Sequence, residues 1–392
     1  MARAGKLLDP ERTGREAEAL EASLHRLIVG QDEAIGHIVN MYQMHLTGMT
    51  PPSRPVSNFL FLGPTGSGKT RIVEATAETL LGSARSLIKI DCAEFQHSHE
   101  VAKLIGSPPG YLGHRETHPL LSQEVLDQHH TEKVKLSFVL FDEIEKASDA
   151  LWNLLLGILD KATLTLGDNR RVDFSRAMIF MTSNLGANEM CSILGPKMGF
   201  HPEAAHDPAT VRSDEKLTGK ITEAGLGAAR RKFTPEFMNR LDKVVVFKPL
   251  GTEELRRVLD IELSLVQQRI FNAPHGSAFV VSLTPRAKDD LLAKGTDVQY
   301  GARHLKRTIE RLLVQPLSNL LATRQIRSGD LIQVDFDPQG GRMTFVREAE
   351  NVPPYSLAET VHSPLAALSA ALACGATTGR ASESVSGRKL PE

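Results

Sequence analysis

The chain is poor in the residues that mark specialised surfaces and compartments. Its 392 residues include only three cysteines, Cys92, Cys191 and Cys374. They are widely separated and form neither a metal-ligand spacing nor a disulfide framework, so a reducing, cytoplasmic setting is expected. Aromatic residues make up 5% of the chain, with one tryptophan, which argues against a surface that stacks nucleic-acid bases. The formal net charge is −1, so no basic field marks a nucleic-acid or anionic-membrane partner. No apolar run is long enough to span a bilayer. Residues 1–20 are charged and lack the apolar core of a signal peptide. No internal repeat is present at a solenoid period. What remains is an ordinary globular composition, at a length that suits two or more domains.

One stretch organises the rest. An apolar run, Phe59-Leu60-Phe61-Leu62, leads into Gly63-Pro64-Thr65-Gly66-Ser67-Gly68-Lys69-Thr70 and then into a helix-forming segment. Residues 63–70 fit G-x-x-x-x-G-K-[ST]. The glycines let backbone N–H groups turn inward around phosphate oxygens. The helix that follows aims its positive end at the same anion. Lys69 is placed to reach the β- and γ-phosphates, and the Thr70 hydroxyl to ligate Mg²⁺. An ordinary strand-turn-helix corner is the plainer alternative. A helix is expected over 71–81, stopped by Gly82. Upstream, Val29-Gly30-Gln31-Asp32-Glu33-Ala34 lies between two helical patterns, where it suits a lid over a nucleotide base.

Two further strand ends carry polar groups. Ser137-Phe138-Val139-Leu140-Phe141 reads as a strand buried on both faces, and Asp142-Glu143 follow at its carboxyl end. Ligands of open α/β sheets bind at that edge. One carboxylate can support Mg²⁺ and the next can polarise an attacking water. The alternative is an acidic pair favoured by the dipole of a helix expected over 144–159. Ala177-Met178-Ile179-Phe180-Met181 is a second buried run, ending in Thr182-Ser183-Asn184. An amide there can orient water or sense a phosphate, or simply serve a turn. Thr163 to Asp173 reads as a hairpin. Leu185 to Lys232 reads as irregular, with a helix before Phe233, and a further strand is expected at residues 244–247.

Other stretches point outward. Gly106-Ser107-Pro108-Pro109-Gly110-Tyr111-Leu112-Gly113 must be a loop, and a loop that exposes Tyr111 and Leu112 has a partner to touch. His97 and His99 suggest a metal site, but no cysteine accompanies them and the bland polar reading is favoured. Pro249-Leu250-Gly251 marks a boundary. Beyond it follow a helix face at Leu255, Leu259, Val266 and Ile270, a short strand at residues 280–283, a helix opened by Thr284-Pro285, and a closing hairpin near residues 331–346. From about Glu350 the Ala/Ser/Thr-rich composition reads as a disordered tail.

Together these motifs resemble the Clp family of AAA+ ATPases, and most of all the second ATPase module of ClpB and ClpC. The resemblance rests on Val29–Ala34, Gly63–Thr70, Leu104–Tyr111, Phe141–Ala147, Met181–Gly186, Pro235-Glu236-Phe237-Met238-Asn239-Arg240-Leu241-Asp242 and Tyr300-Gly301-Ala302-Arg303, in the family's order. It implies an α/β large subdomain with a five-stranded parallel sheet over residues 28–249, preceded by a helical segment at 1–27. A mostly helical small subdomain would cover 250–348, with the tail at 349–392. It implies ATP and Mg²⁺ as ligands, with Val29 and Gly30 at the base, Asp142 on Mg²⁺ and Glu143 on the attacking water. Asn184 would be the first sensor and Arg303 the second. Arg240 would be an arginine finger completing a neighbour's site in a homo-hexamer, and Tyr111 the pore-loop aromatic that grips protein substrates. Met198-Gly199-Phe200 is similar to the aliphatic-Gly-Phe tripeptide that docks Clp ATPases on a ClpP-type peptidase, with an anchor folded on its own subdomain as the alternative.

The chain departs from the family in places. No stretch resembles the family's amino-terminal substrate domain, first ATPase module or coiled-coil middle domain. His114-Arg115-Glu116-Thr117-His118 replaces a glycine-containing acidic stretch, and Met41-Tyr42-Gln43-Met44-His45 lacks the usual basic residues. A nucleic-acid remodeller and a nucleotide-dependent assembly scaffold are the competing functions.

Overall fold

Strand β1 (Ser57–Leu62) is buried along its whole length because both of its faces are covered. The computed structural model describes residues 9–10, 12–107, 118–194, 215–273, 278–297 and 301–350. The expectations at Tyr111 and Leu112, at Met198-Gly199-Phe200 and for the tail from residue 351 lie outside them.

Successive side chains of a strand point to opposite faces, and two separate cores record this. Phe59 and Phe61 join Phe138, Leu140, Met178 and Phe180 in one core. Leu60 and Leu62 join Val139, Phe141, Ile179 and Met181 in the other. That is why these strands read as continuous apolar runs. Phe59 stacks on Phe180 with ring centroids 5.4 Å apart. Each such fully buried side chain stabilises the fold by about 1.5–3 kcal/mol. Helices α1 (Arg15–Leu27), α2 (Asp32–Leu46) and α3 (Lys69–Leu81) bury Leu20, Leu24, Ile35, Ile38, Ile72 and Val73 in the first core. The helix Asp149–Lys161 buries Leu151, Leu155, Ile158 and Leu159 in the second.

With β2 (Ile88–Asp91), β3 (Ser137–Asp142), β4 (Thr163–Thr165), β5 (Arg171–Asp173), β6 (Ala177–Ser183) and β7 (Lys243–Val246), the main sheet has the order β2-β3-β6-β1-β7. Every pairing in it is parallel. All five strands therefore end at one edge. β4 and β5 form the expected antiparallel hairpin.

Two local expectations fail, for physical reasons. The helix expected over 144–159 is instead a single 3-10 turn, Ile144–Lys146, followed by extended backbone and an α-helix that begins only at Asp149. Ser148 donates its N–H to the Phe95 carbonyl at 2.9 Å, which draws the chain out of helical geometry. No α-helix begins at Asp142-Glu143, only a single 3-10 turn, which is too short for a helix dipole to account for that pair. The stretch after Leu185 is also not irregular at its start, where Ala187–Leu194 is an α-helix, whereas the helix Glu215–Lys232 is the one expected before Phe233. Glycine in the second helix weakens its helical signal. Packing explains Gly225, where an added Cβ would lie 2.4 Å from the Met190 methyl and 3.3 Å from Val246.

Contacts divide the chain into two units. One holds the chain through Val258 together with Thr296–His304, and the other holds Leu259–Gly295 and the chain from Leu305. The division falls inside the helix Thr252–Phe271, which follows the boundary expected at residue 249. In the second unit, β8 (Val280–Leu283) runs parallel to β9 (Leu331–Asp337), and β10 (Arg342–Ala349) pairs antiparallel with β9. Thr284 caps the helix Pro285–Gly295 by accepting the Ala287 N–H at 3.2 Å. Leu291, Leu305, Ile309, Leu313, Ile332 and Val334 are buried.

Candidate functional site

Three parallel strands deliver the candidate groups to one sheet edge. Gly63 leaves β1, Asp142 ends β3, and Asn184 follows β6. The loop needs its first glycine, because a Cβ on Gly63 would lie 2.5 Å from the Phe247 carbonyl oxygen. That carbonyl belongs to the segment leaving β7, whose Phe247 N–H donates to Leu62 at 2.7 Å. Ser67 hydroxyl closes the loop on Pro64 at 2.9 Å. Helix α3 then starts at Lys69, two residues earlier than its sequence suggests, with Gly82 at its end as expected.

Lys69 is 7% exposed. Its Nζ donates to the Gly63 and Pro64 carbonyls at 2.7 and 2.9 Å and to Asn184 Oδ1 at 3.0 Å. Burial pulls the amine down to about 8, opposed by the Glu145 and Asp142 carboxylates, while Arg303 acts in the same direction as burial. A buried ammonium that leans on backbone carbonyls is poised to exchange them for an anion.

Thr70 Oγ1 donates to Asp142 Oδ1 at 3.3 Å. A hydroxyl and a carboxylate this close form the oxygen-rich corner that Mg²⁺ takes beside phosphate groups, so the residues fit the ion. Lys89 lies 3.2 Å from Asp142 Oδ2. Asp142 also accepts a short hydrogen bond from the Thr182 hydroxyl.

Glu143 has φ 57 and ψ 47, the left-handed region. A non-glycine residue held there costs roughly 1–3 kcal/mol. The bend turns its carboxylate toward Asn184, whose Nδ2 donates to Oε1 at 3.3 Å, and toward Lys146, which ion-pairs with Oε2. Asn184 is thus held between Lys69 and Glu143. Its own N–H donates to Glu145 Oε1 at 3.0 Å. A group so arranged can orient a water between a carboxylate base and a bound phosphate.

The lid candidates Val29 and Gly30 are half-buried beside Gln31. Gln31 donates from Nε2 to the Ser67 and Lys248 carbonyls at 3.1 and 3.0 Å, tying the phosphate loop to the exit of β7. Arg303 is exposed on the segment grouped with the large unit, and its neighbour Ala302 donates to Gly66 O at 3.2 Å.

Arg240 stands apart. Its carbonyl accepts from Asn58 Nδ2 and Arg54 Nη2, both at 3.2 Å, at the amino end of β1. The phosphate loop leaves the other end of that strand, about 13 Å away at the usual strand rise. The guanidinium pairs with Glu236 at 3.2 Å and approaches Asp160 at 3.7 Å. Asp242 accepts the Asn58 N–H at 2.7 Å and faces Arg54 at 3.6 Å.

Sequence reasoning gave no role to Thr182, Glu145 or Gln31. The signal was a polar residue inside a buried run or motif, which must find a partner. The His97 and His99 rings stack 5.7 Å apart. Among the described residues no three His, Cys, Asp or Glu side chains are placed to hold a metal by themselves.

Comparison with known proteins bears on this geometry. Residues 54–244 match the AAA domain (Cdc48 subfamily), and residues 250–334 match the C-terminal, D2-small domain of ClpB protein. The chaperone protein ClpB of Aquifex aeolicus is 36% identical over 84% of this chain and 30% of that protein. Chloroplastic ClpC3 of Oryza sativa is 37% identical over 86% of this chain and 34% of that protein. An S. cerevisiae Hsp104:casein complex superposes with a TM-score of 0.70 at 28% identity, covering 85% of this chain and 53% of that one. The chain spans about a third of the length of the curated relatives it matches.

Proposed function

Because this chain belongs to the Clp family of AAA+ ATPases, with a module like the second one of ClpB, we propose that it hydrolyses ATP in a homo-hexameric ring to move polypeptide. The observation that carries the reading is the convergence of Lys69, Thr70, Asp142, Glu143 and Asn184 on one sheet edge. In our reading the loop Gly63-Pro64-Thr65-Gly66-Ser67-Gly68 wraps the phosphates with backbone N–H groups. Lys69 leaves its carbonyls for the β- and γ-phosphates. Thr70 and Asp142 would hold Mg²⁺, which when bound neutralises charge on the phosphate oxygens. Glu143 takes the proton of the attacking water, and Asn184 fixes that water against the γ-phosphate. Val29 and Gly30 cover the base, and Arg303 reaches the phosphates.

Polypeptide as substrate is supported by likeness to a structure of Hsp104 with casein and by Tyr111 and Leu112 in a Gly-Pro-rich stretch of the sequence. The near-neutral charge disfavours nucleic acid. Among the described residues no helix is long and apolar enough to cross a membrane. From the three widely separated cysteines we propose a reducing, cytoplasmic setting. Tyr111→Ala is expected to hydrolyse ATP near the unaltered rate yet fail to unfold a tagged fluorescent protein, because an aromatic grips many sequences through contact area. A variant that unfolds its target normally but melts at lower temperature would instead make Tyr111 a local packing residue.

A ClpP-type peptidase as partner is the further part of the proposal. It rests on Met198-Gly199-Phe200, in which Met is adaptable enough to fill an apolar pocket. Assembled with ATP, the protein should retain its own organism's peptidase on a sizing column. No association would favour a chaperone acting alone.

A further inference from the structure

Strand β6 is buried at all seven positions, and Thr182 near its end is 1% exposed. A hydroxyl in such a strand is costly unless it is paired. Thr182 Oγ1 is paired twice, and both partners belong to the acidic pair of the site. It donates to Asp142 Oδ1 and accepts the Glu143 N–H at 3.1 Å.

The position of this oxygen follows from the sheet register. The β3–β6 ladder ends at the pair Phe141↔Met181. Two residues further, past the end of β3, the chain takes the left-handed bend at Glu143. A backbone N–H at that point still needs a partner, and the partner is a side chain of β6 rather than its main chain. The same oxygen fixes the carboxylate of Asp142 on the side facing Thr70. One atom therefore sets where Asp142 points and where the chain turns.

We infer that Thr182 is a positioning residue for hydrolysis: it holds the Asp142 carboxylate beside Thr70 and locks the bend that aims Glu143 at Asn184. Its hydroxyl bonds to Asp142 and to the Glu143 N–H. Its effect passes through Asp142 and Glu143, so it belongs to turnover rather than to nucleotide affinity. The inference rests on the ATPase reading of the site.

The test compares Thr182→Val, which keeps the shape and removes the hydroxyl, with Thr182→Ser, which keeps the hydroxyl. Losing the side-chain partner of the part-buried Glu143 N–H and one of the groups that hold the Asp142 carboxylate should lower kcat about tenfold or more in Thr182→Val. KM for ATP should move less than about threefold, because phosphate-loop contacts are intact. The Mg²⁺ concentration for half-maximal turnover should rise. Thr182→Ser should recover kcat to within about threefold of the unaltered chain. Thr182→Val with kcat within about twofold of normal would overturn the inference. So would Thr182→Ser failing as badly as Thr182→Val, which would assign the loss to packing. If Thr182→Val does not fold, Thr182→Cys, similar in size with a weak donor, is read by the same split, and unchanged kcat there overturns the inference. Absence of turnover in the unaltered chain would count against the ATPase reading instead.

Discussion

Glu143→Gln is expected to bind ATP and assemble, with turnover reduced by about 10²- to 10⁴-fold. Gln has the size of Glu and can still accept from Asn184 Nδ2, which donates to Glu143 Oε1 at 3.3 Å. It cannot accept a proton from water. It also loses the ion pair with Lys146, but Lys146 is 47% exposed, so that pair contributes at most about 1 kcal/mol. A small change in melting temperature beside a large fall in kcat separates chemistry from stability. Near-normal hydrolysis by Glu143→Gln would remove Glu143 from the mechanism and leave it as an anchor for Lys146.

Arg240→Ala should keep its affinity for ATP and lose turnover by about 10³- to 10⁵-fold, or roughly 4–7 kcal/mol of transition-state stabilisation. The Arg240 backbone is tied to the amino end of β1 through Asn58 and its guanidinium is held by Glu236 and Asp160, while the phosphate loop leaves the carboxyl end. A direct role in its own chain's site is therefore closed by distance, and any catalytic role must be in a neighbour. Its pair with Glu236, which is 63% exposed, is weak enough to be exchanged for a phosphate. Mixing Glu143→Gln with Arg240→Ala subunits supplies the test. Some interfaces then join an intact Glu143 to an intact neighbouring Arg240, and activity should exceed that of either variant alone. Mixed rings that assemble without regaining activity would return Arg240 to a structural role at Glu236 and Asp160.

The sheet was legible because its physics is local to each strand. Phe59–Leu62, Phe138–Phe141 and Met178–Met181 are continuous apolar runs, and both of their faces are buried. The phosphate loop was legible from its glycines, and the close approach of Gly63 to Phe247 shows why one of them cannot be replaced. What the sequence hid depends on distant partners. Nothing near Ser148 announces the Phe95 carbonyl that delays the helix to Asp149. Nothing near Gly225 announces the Met190 methyl that an added Cβ would meet at 2.4 Å. Thr182 looks like one more β-branched strand residue until the end of the β3–β6 register is known. The parallel pairing of β8 with β9 joins segments far apart in sequence, so only the β9–β10 hairpin was expected.

The central claim is that ATP turnover here is coupled to polypeptide. The measurement that bears on it most directly is steady-state ATP hydrolysis by the unaltered chain, alone, with a permanently unfolded protein, and with single-stranded DNA. Stimulation by the unfolded protein and none by DNA is the predicted result. Turnover that responds to DNA, or to neither, would contradict the claim and favour a nucleic-acid remodeller or an assembly scaffold.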